Sequence, residues 1–170
     1  FWNGGQINQL HGQRMNDQLM TGAELQALRE ACGLDRDQFG ALCGVQGRSI
    51  KYWEIGSSNH GVPADVSALV LELEAKVRKD ADAIVNHWEM TQPDPVLMRS
   101  GNHLQNAANQ RAFIELRRRG HVVRMVAFDV PAFKAWAAQT RSADTPGARQ
   151  QWARVAVKDQ AKPHRADQPA

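Results

Sequence analysis

The stretch Leu34–Gly56, LDRDQFGALCGVQGRSIKYWEIG, decides how the N-terminal end of this chain folds. Asp35 is a good N-cap for a short helix with Phe39, Leu42 and Cys43 turned inward and Gly44 as its stop. Val45 follows, and then a second short helix over about 47–55, with Ile50 and Trp53 on one face and Gly56 closing it. Two short helices that cross steeply touch near their middles, so one early position must be small, and Gly40 occupies it. The turn requires a residue that tolerates positive φ, which Gly44 supplies. The wedge between the helices must be apolar, as Phe39, Cys43, Val45, Ile50 and Trp53 are. Phe39, Gly40, Cys43, Gly44, Val45, Ile50 and Trp53 agree in register, and that agreement predicts a helix–turn–helix.

Upstream, Thr21 and Glu24 form a capping box ahead of Leu25, Leu28 and Cys32, which share one helical face; Gly33 ends that helix. Gln46 is a poor cap for the third helix, and Gly47 is expected to loosen its first turn. Downstream, residues 57–61 read as a loop and Pro63 suits the first turn of a long fourth helix. Val66, Leu69, Leu73, Val77, Ala81, Ile84 and Trp88 recur every three or four residues in it, as far as about Met90. The residues QPDP at 92–95 break it and read as a linker.

Beyond the linker, Val96–Met98 is a candidate short strand. A helix follows over 102–118, with Leu104, Ala108, Ala112, Phe113 and Leu116 inward and Gly120 as its stop. HVVRMVAFD at 121–129 reads as a strand, with Val122, Arg124, Val126 and Phe128 on one face. Pro131 opens a helix to about Thr140 with Phe133 and Trp136 inward. A last helix over about 145–156 carries Trp152 and Val155. The organisation expected is a flexible extension at 1–19, a head at 20–75, an extended helix and linker at 76–95, a second domain at 96–157 and a disordered tail at 158–170. Met15, Met20 and a residue further upstream are all possible starts, so residues 1–19 read either as an upstream extension, in part or whole, or as a flexible N-terminal arm.

The segment from Leu25 to Pro63 resembles the XRE, or lambda-repressor-like, helix–turn–helix superfamily, whose third helix closes on Trp-Glu-x-Gly; here the residues are Trp53-Glu54-Ile55-Gly56. A narrower set of residues, ELQALRE at 24–30, Tyr52-Trp53-Glu54 and Val62-Pro63, is similar to the anti-CRISPR-associated regulators of the second class. The resemblance implies a mainly α protein: a helix–turn–helix head joined to a small α+β C-terminal domain, strand–helix–strand–helix, that makes a homodimer. It also implies an autorepressor that binds a palindromic double-stranded DNA operator, in a phage or another mobile element.

With Val45, Ile50 and Trp53 inward, Gln46, Gly47, Arg48, Lys51 and Tyr52 turn outward, where such helices enter the major groove. Arg48 suits a bidentate pair to guanine, and Gln46 an adenine edge, with Lys51 and Tyr52 reaching a base or a phosphate. Arg36, at the start of the second helix, and Ser49 are the candidate phosphate contacts. Residues 20–60 hold only four Lys/Arg against five Asp/Glu, so a lone head has little nonspecific affinity and useful affinity calls for a dimer.

The net charge of +3 is unevenly spread: −4 over residues 1–93 and +7 over 94–170. In the basic part, Arg117, Arg118 and Arg119 end a helix, where they either complement its dipole or bind a nucleic-acid backbone. Two other readings therefore stay open: an antitoxin with a DNA-binding head, and an RNA-binding translational repressor that uses the basic part. Cys32 and Cys43 lie on inward faces and read as core residues, and the six histidines make no ligand set. No nucleophile–base pair, phosphate loop or credible carboxylate pair is visible, so neither an enzyme, a cofactor nor a metal is expected. Without a secretory signal or a run of about 20 apolar residues, the expected location is the cytoplasm, with no membrane partner.

Overall fold

The computed structural model describes residues 20–57, 61–91 and 94–160. They are mainly helical, with seven helices and one two-stranded parallel sheet among the described residues. The chain forms two compact units, divided between Ala75 and Lys76.

In the N-terminal unit, α1 (Gly22–Ala31) starts at the expected capping box: the Thr21 hydroxyl accepts from the Glu24 N–H, and the Glu24 carboxylate accepts from the Thr21 N–H at 2.7 Å. Helix α2 (Arg36–Cys43) starts at a second box, between Asp35 and Gln38, and stops at Gly44 with φ 70°. Helix α3 (Gly47–Glu54) starts at Gln46, whose side chain makes no capping bond. Leu25, Cys32, Phe39, Ile50, Val66 and Val70 are buried; Leu28, Val45, Trp53 and Leu69 are half-buried.

Glycines permit the close approach of these helices. A Cβ at Gly40 would lie 2.7 Å from the Val45 carbonyl oxygen and 3.0 Å from the Gly47 nitrogen. Gly47 corrects an expectation. It is buried, and a Cβ there would meet the Asp37 carboxylate and come within 3.1 Å of the Arg36 carbonyl carbon. Its role is to let the start of α3 sit against the start of α2, rather than to loosen a turn. Leu42 is exposed, not inward. The packed arc of α2 runs through Phe39, Gly40 and Cys43, and Leu42 falls on the far side of Phe39 from it.

Helix α4 (Ala64–Thr91) is 28 residues long, and its residues from Lys76 onward belong to the C-terminal unit. There Val77, Ala81, Val85 and Trp88 are buried. Strand β1 (Val96–Arg99), helix α5 (His103–Arg118) and strand β2 (Arg124–Ala127) make a β–α–β unit, with Val96 beside Arg124 and Arg99 beside Ala127 in a parallel ladder. Two parallel strands need such a crossover. Helix α6 (Val130–Thr140) and helix α7 (Pro146–Gln160) follow. Val96, Val126, Phe133, Ala148, Trp152 and Ala153 form the core, with Met98, Phe128 and Trp136 packed against it.

The second strand is shorter than the apolar run at 121–129, because its partner β1 offers four residues between Pro95 and Ser100. Val122 lies before the ladder and is 63% exposed instead of facing the core with Val126. Val155 is exposed as well, since α7 turns Ala148, Trp152 and Ala153 inward. Residues 158–160, expected in a disordered tail, continue α7, where Lys158 suits the C-terminal end of the dipole. The extension at 1–19, the loop residues 58–60, Gln92 and Pro93 of the linker, and the tail from 161 lie outside the described residues.

Candidate nucleic-acid interface

What fixes α3 in place is a buried ion cluster. Arg29 on α1 donates from Nε to Glu54 Oε1 at 2.6 Å, and Arg36 on α2 donates from Nε to Glu54 Oε2 at 2.6 Å. Arg29 also donates from Nη1 to the Leu34 carbonyl at 2.6 Å. The Arg29 and Glu54 side chains are 5% and 0% exposed. A carboxylate withdrawn from water is tolerable only when fully paired, and here it takes one partner from each of the other two helices. Burial works against ionisation of Glu54, but the hydrogen bonds and charges of Arg29 and Arg36 outweigh it and hold its pKa below the usual carboxylate range.

The opposite side of α3 is open. Arg48, Lys51, Tyr52 and the C-cap residue Ile55 are exposed on one side, and Gly47, Ile50 and Glu54 are buried on the other. Gln46 is exposed at the start of the helix, while Ser49 is half-buried and donates its N–H to the Gln46 carbonyl at 2.9 Å. The structure thus brings Arg48, Lys51 and Tyr52 together on one surface with Gln46 at its leading end. Arg36 has a partner within the chain as well: its Nε is engaged by Glu54, and its side chain is 40% exposed. Only its terminal nitrogens remain to meet a phosphate.

Arg118 and Arg119 are not open cations. Arg118 donates from Nε and Nη2 to Glu115 at 2.8 Å, a bidentate pair. Arg119 donates from Nε to Glu115 at 2.7 Å and from Nη1 to Glu89 at 2.9 Å. These hydrogen bonds hold the Glu115 carboxyl at about 2. The Arg117 guanidinium lies 5.7 Å from the Phe113 ring centroid. Glu115, already within the net count of residues 94–170, and Glu89, outside it, thus sit directly against Arg118 and Arg119.

The C-terminal unit contains a cleft of about 530 Å³ lined in part by His87, Trp88, Met98, Phe128 and Arg149. Its amides Asn109 and Gln150 donate to the Met98 and Val96 carbonyls, and Arg149 is paired with Asp144 at 2.6 Å. No group of three metal-ligating side chains occurs among the described residues. Neither cysteine is in a disulfide, and burial together with the negative charge of Asp65 pushes the Cys43 thiol pKa up, away from a reactive thiolate. Among the described residues, no helix is long and apolar enough to cross a membrane.

Sequence reasoning missed the Arg29–Glu54–Arg36 cluster and the exposure of Ile55. A signal for the first exists: Glu54 sits in the last turn of a helix, where a negative charge is disfavoured by the dipole. A residue placed against its local preference has a partner elsewhere. Compared with models of known protein families and with curated proteins, the chain gives no match.

Proposed function

We propose that the protein is a sequence-specific DNA-binding transcriptional regulator, an autorepressor that reads a palindromic operator as a homodimer through α3. The observation that carries this reading is the two-sidedness of α3. One side is locked by Ile50, Gly47 and the buried Glu54, and the other presents Arg48, Lys51 and Tyr52 together. A fixed helix with a short polar outer face and an exposed Gln46 at its leading end is what the major groove accepts. Arg48 takes the guanine-reading role, Gln46 an adenine edge, Lys51 and Tyr52 further base or phosphate contacts, and Ser49 and Arg36 the backbone. The resemblance of residues 25–63 to lambda-repressor-like heads, and of 24–30, 52–54 and 62–63 to the anti-CRISPR-associated regulators, points the same way. So does the β–α–β–α order of the C-terminal unit, the part assigned to dimerisation.

The pairing of Arg118 and Arg119 with Glu115 and Glu89 weighs against the RNA-binding reading. Selection of bound duplexes from a random pool tests the proposal. Enrichment of a two-fold symmetric sequence, with half-sites about one helical turn apart, is the expected result. A pool that shows no enrichment, or chain that retains single-stranded RNA in preference to any duplex, contradicts it.

A further inference from the structure

The two edges of the small sheet are finished differently. On β1, the outward carbonyls of Val96 and Met98 each accept from a side-chain amide, Gln150 at 2.7 Å and Asn109 at 2.6 Å. Just past the strand, the Ser100 N–H donates to Asn106 at 2.8 Å. On β2, the Arg124 N–H donates to the Pro95 carbonyl and the Phe128 N–H to the Arg99 carbonyl. Arg124, Val126 and Phe128 therefore direct their backbone groups toward β1, and by alternation Met125 and Ala127 direct theirs to the outer edge. Among the described residues, nothing in the chain hydrogen-bonds those outer groups of Met125 and Ala127, and Ala127 is exposed. Strand edges are commonly blunted by charge, proline, a bulge or short length; β2, RMVA, is four residues long and carries one charge, Arg124, whose backbone groups face β1, and it has no proline and no bulge.

We infer that this edge pairs antiparallel with β2 of a second copy of the chain, across a two-fold axis at Met125, to give a four-stranded sheet with a β1 strand at each end. The occupant is a second copy because the sequence around Met125 complements its own reverse. With Met125 opposite Met125, Arg124 falls across from Val126, Val123 from Ala127, Val122 from Phe128 and His121 from Asp129. Val122, 63% exposed in the single chain, then meets the half-buried Phe128. The end residues set an imidazole across from a carboxylate and not two like charges, while within its own chain His121 also lies 3.6 Å from Glu89 and Asp129 accepts from the Ala132 N–H at 2.9 Å. Three residues per strand bury less than the ~1,000 Å² that a stable interface needs. The exposed side chains of Val122 and Val130, which flank the edge, complete the contact. This inference rests on the homodimer reading above and says where the two copies meet.

Met125→Pro tests it. The substitution removes an outward donor and leaves the β1–β2 bonds intact, as proline on a free edge does. The full chain carrying it is expected to sediment as a monomer at micromolar concentrations where the unaltered chain is a dimer, with its circular dichroism unchanged. Met125→Lys sets like charges face to face at the two-fold and is expected to do the same, which keeps the test decisive if the proline variant fails to fold. Met125→Cys is expected to yield a reducible covalent dimer that the unaltered chain does not form. Dimers that persist in a folded Met125→Pro or Met125→Lys chain, or Met125→Cys chains that never cross-link, overturn the edge pairing while the homodimeric DNA reader stands. An unaltered chain that is monomeric throughout overturns both the pairing and the homodimer. An unaltered dimer that selects no DNA sequence removes the functional reading and leaves the pairing in place.

Discussion

The protein builds the same ionic device twice, a carboxylate clasped by two arginines, once in each unit. In the N-terminal unit it is Arg29–Glu54–Arg36, and in the C-terminal unit Arg118–Glu115–Arg119, with Glu89 added. The pair lengths are alike, 2.6 Å in one and 2.7–2.8 Å in the other. Their surroundings are not: the Glu54 side chain is fully buried and Arg29 nearly so, while Glu115 is 29% and Arg118 73% exposed. In water, an ion pair gains little because solvent already stabilises both charges. In the interior each charge depends on its partner, and removal of one strands the others. The buried clasp therefore holds α3 against α1 and α2. The exposed clasp does something else: it consumes positive charge that would otherwise face a polyanion.

Glu54→Gln is the largest test of this contrast. It leaves Arg29 buried beside a neutral amide, and the N-terminal unit is expected to lose about 3–5 kcal/mol, enough to unfold it at room temperature. Chemical denaturation followed through Trp53 resonances measures this. The pH dependence has a definite sign. The folded pKa of Glu54 lies below its unfolded value, so its contribution is fully present above the unfolded value of about 4.3 and is lost as pH falls through the folded one. The difference between the unaltered chain and Glu54→Gln is expected to be constant above about pH 5 and to shrink under acid. A difference independent of pH would mean that packing, not charge, fixes α3.

Gly40→Ala separates those two contributions, because it touches no charge. Its Cβ would press on the backbone at Val45 and Gly47, and overpacking of this kind costs about 1–3 kcal/mol. An unchanged melting temperature would show that α2 and α3 can part without loss. Smallest of all is Glu115→Gln, which is expected to leave the melting temperature where it is. Its expected effect is on nonspecific nucleic-acid binding, which rises as Arg118 and Arg119 are released. A clear loss of stability would place the exposed clasp beside the buried one in importance.

What sequence could tell about this molecule follows the range of the forces involved. The Thr21–Glu24 capping box, the Asp35 cap, the helix-ending glycines at 33, 44 and 56, and the apolar register of Leu25, Phe39 and Ile50 are local, each decided within four residues, and the structure has them where the sequence puts them. The outward positions of Arg48, Lys51 and Tyr52 follow from that register. The Glu54 clasp is not local, since its partners lie 25 and 18 residues away. The sense of Gly47 was hidden for the same reason: a glycine at a helix start reads as weakness until the segment packed on it is known. In the C-terminal unit, element order was legible, but the strand length depends on β1, and Val122 and Val155 have apolar chemistry without an inward position. At Arg118 and Arg119 a net charge shows the same limit, since it does not say which carboxylate sits against which arginine.

In the proposed function the open face of α3, and not the basic segment near residue 118, reads the nucleic acid. Competition binding by Arg48→Ala, and by a second variant with Arg117, Arg118 and Arg119 all changed to Ala, tests it most directly. The selected operator, a random duplex and a matched RNA serve as ligands at several salt concentrations. Arg48→Ala is expected to lose about 1–3 kcal/mol per half-site on the operator and almost nothing on random duplex, where affinity counts phosphates. The triple variant is expected to leave the operator preference intact. The contradictory result is an Arg48→Ala chain that keeps its operator preference while the triple variant alone loses RNA binding, which would hand recognition to the C-terminal unit.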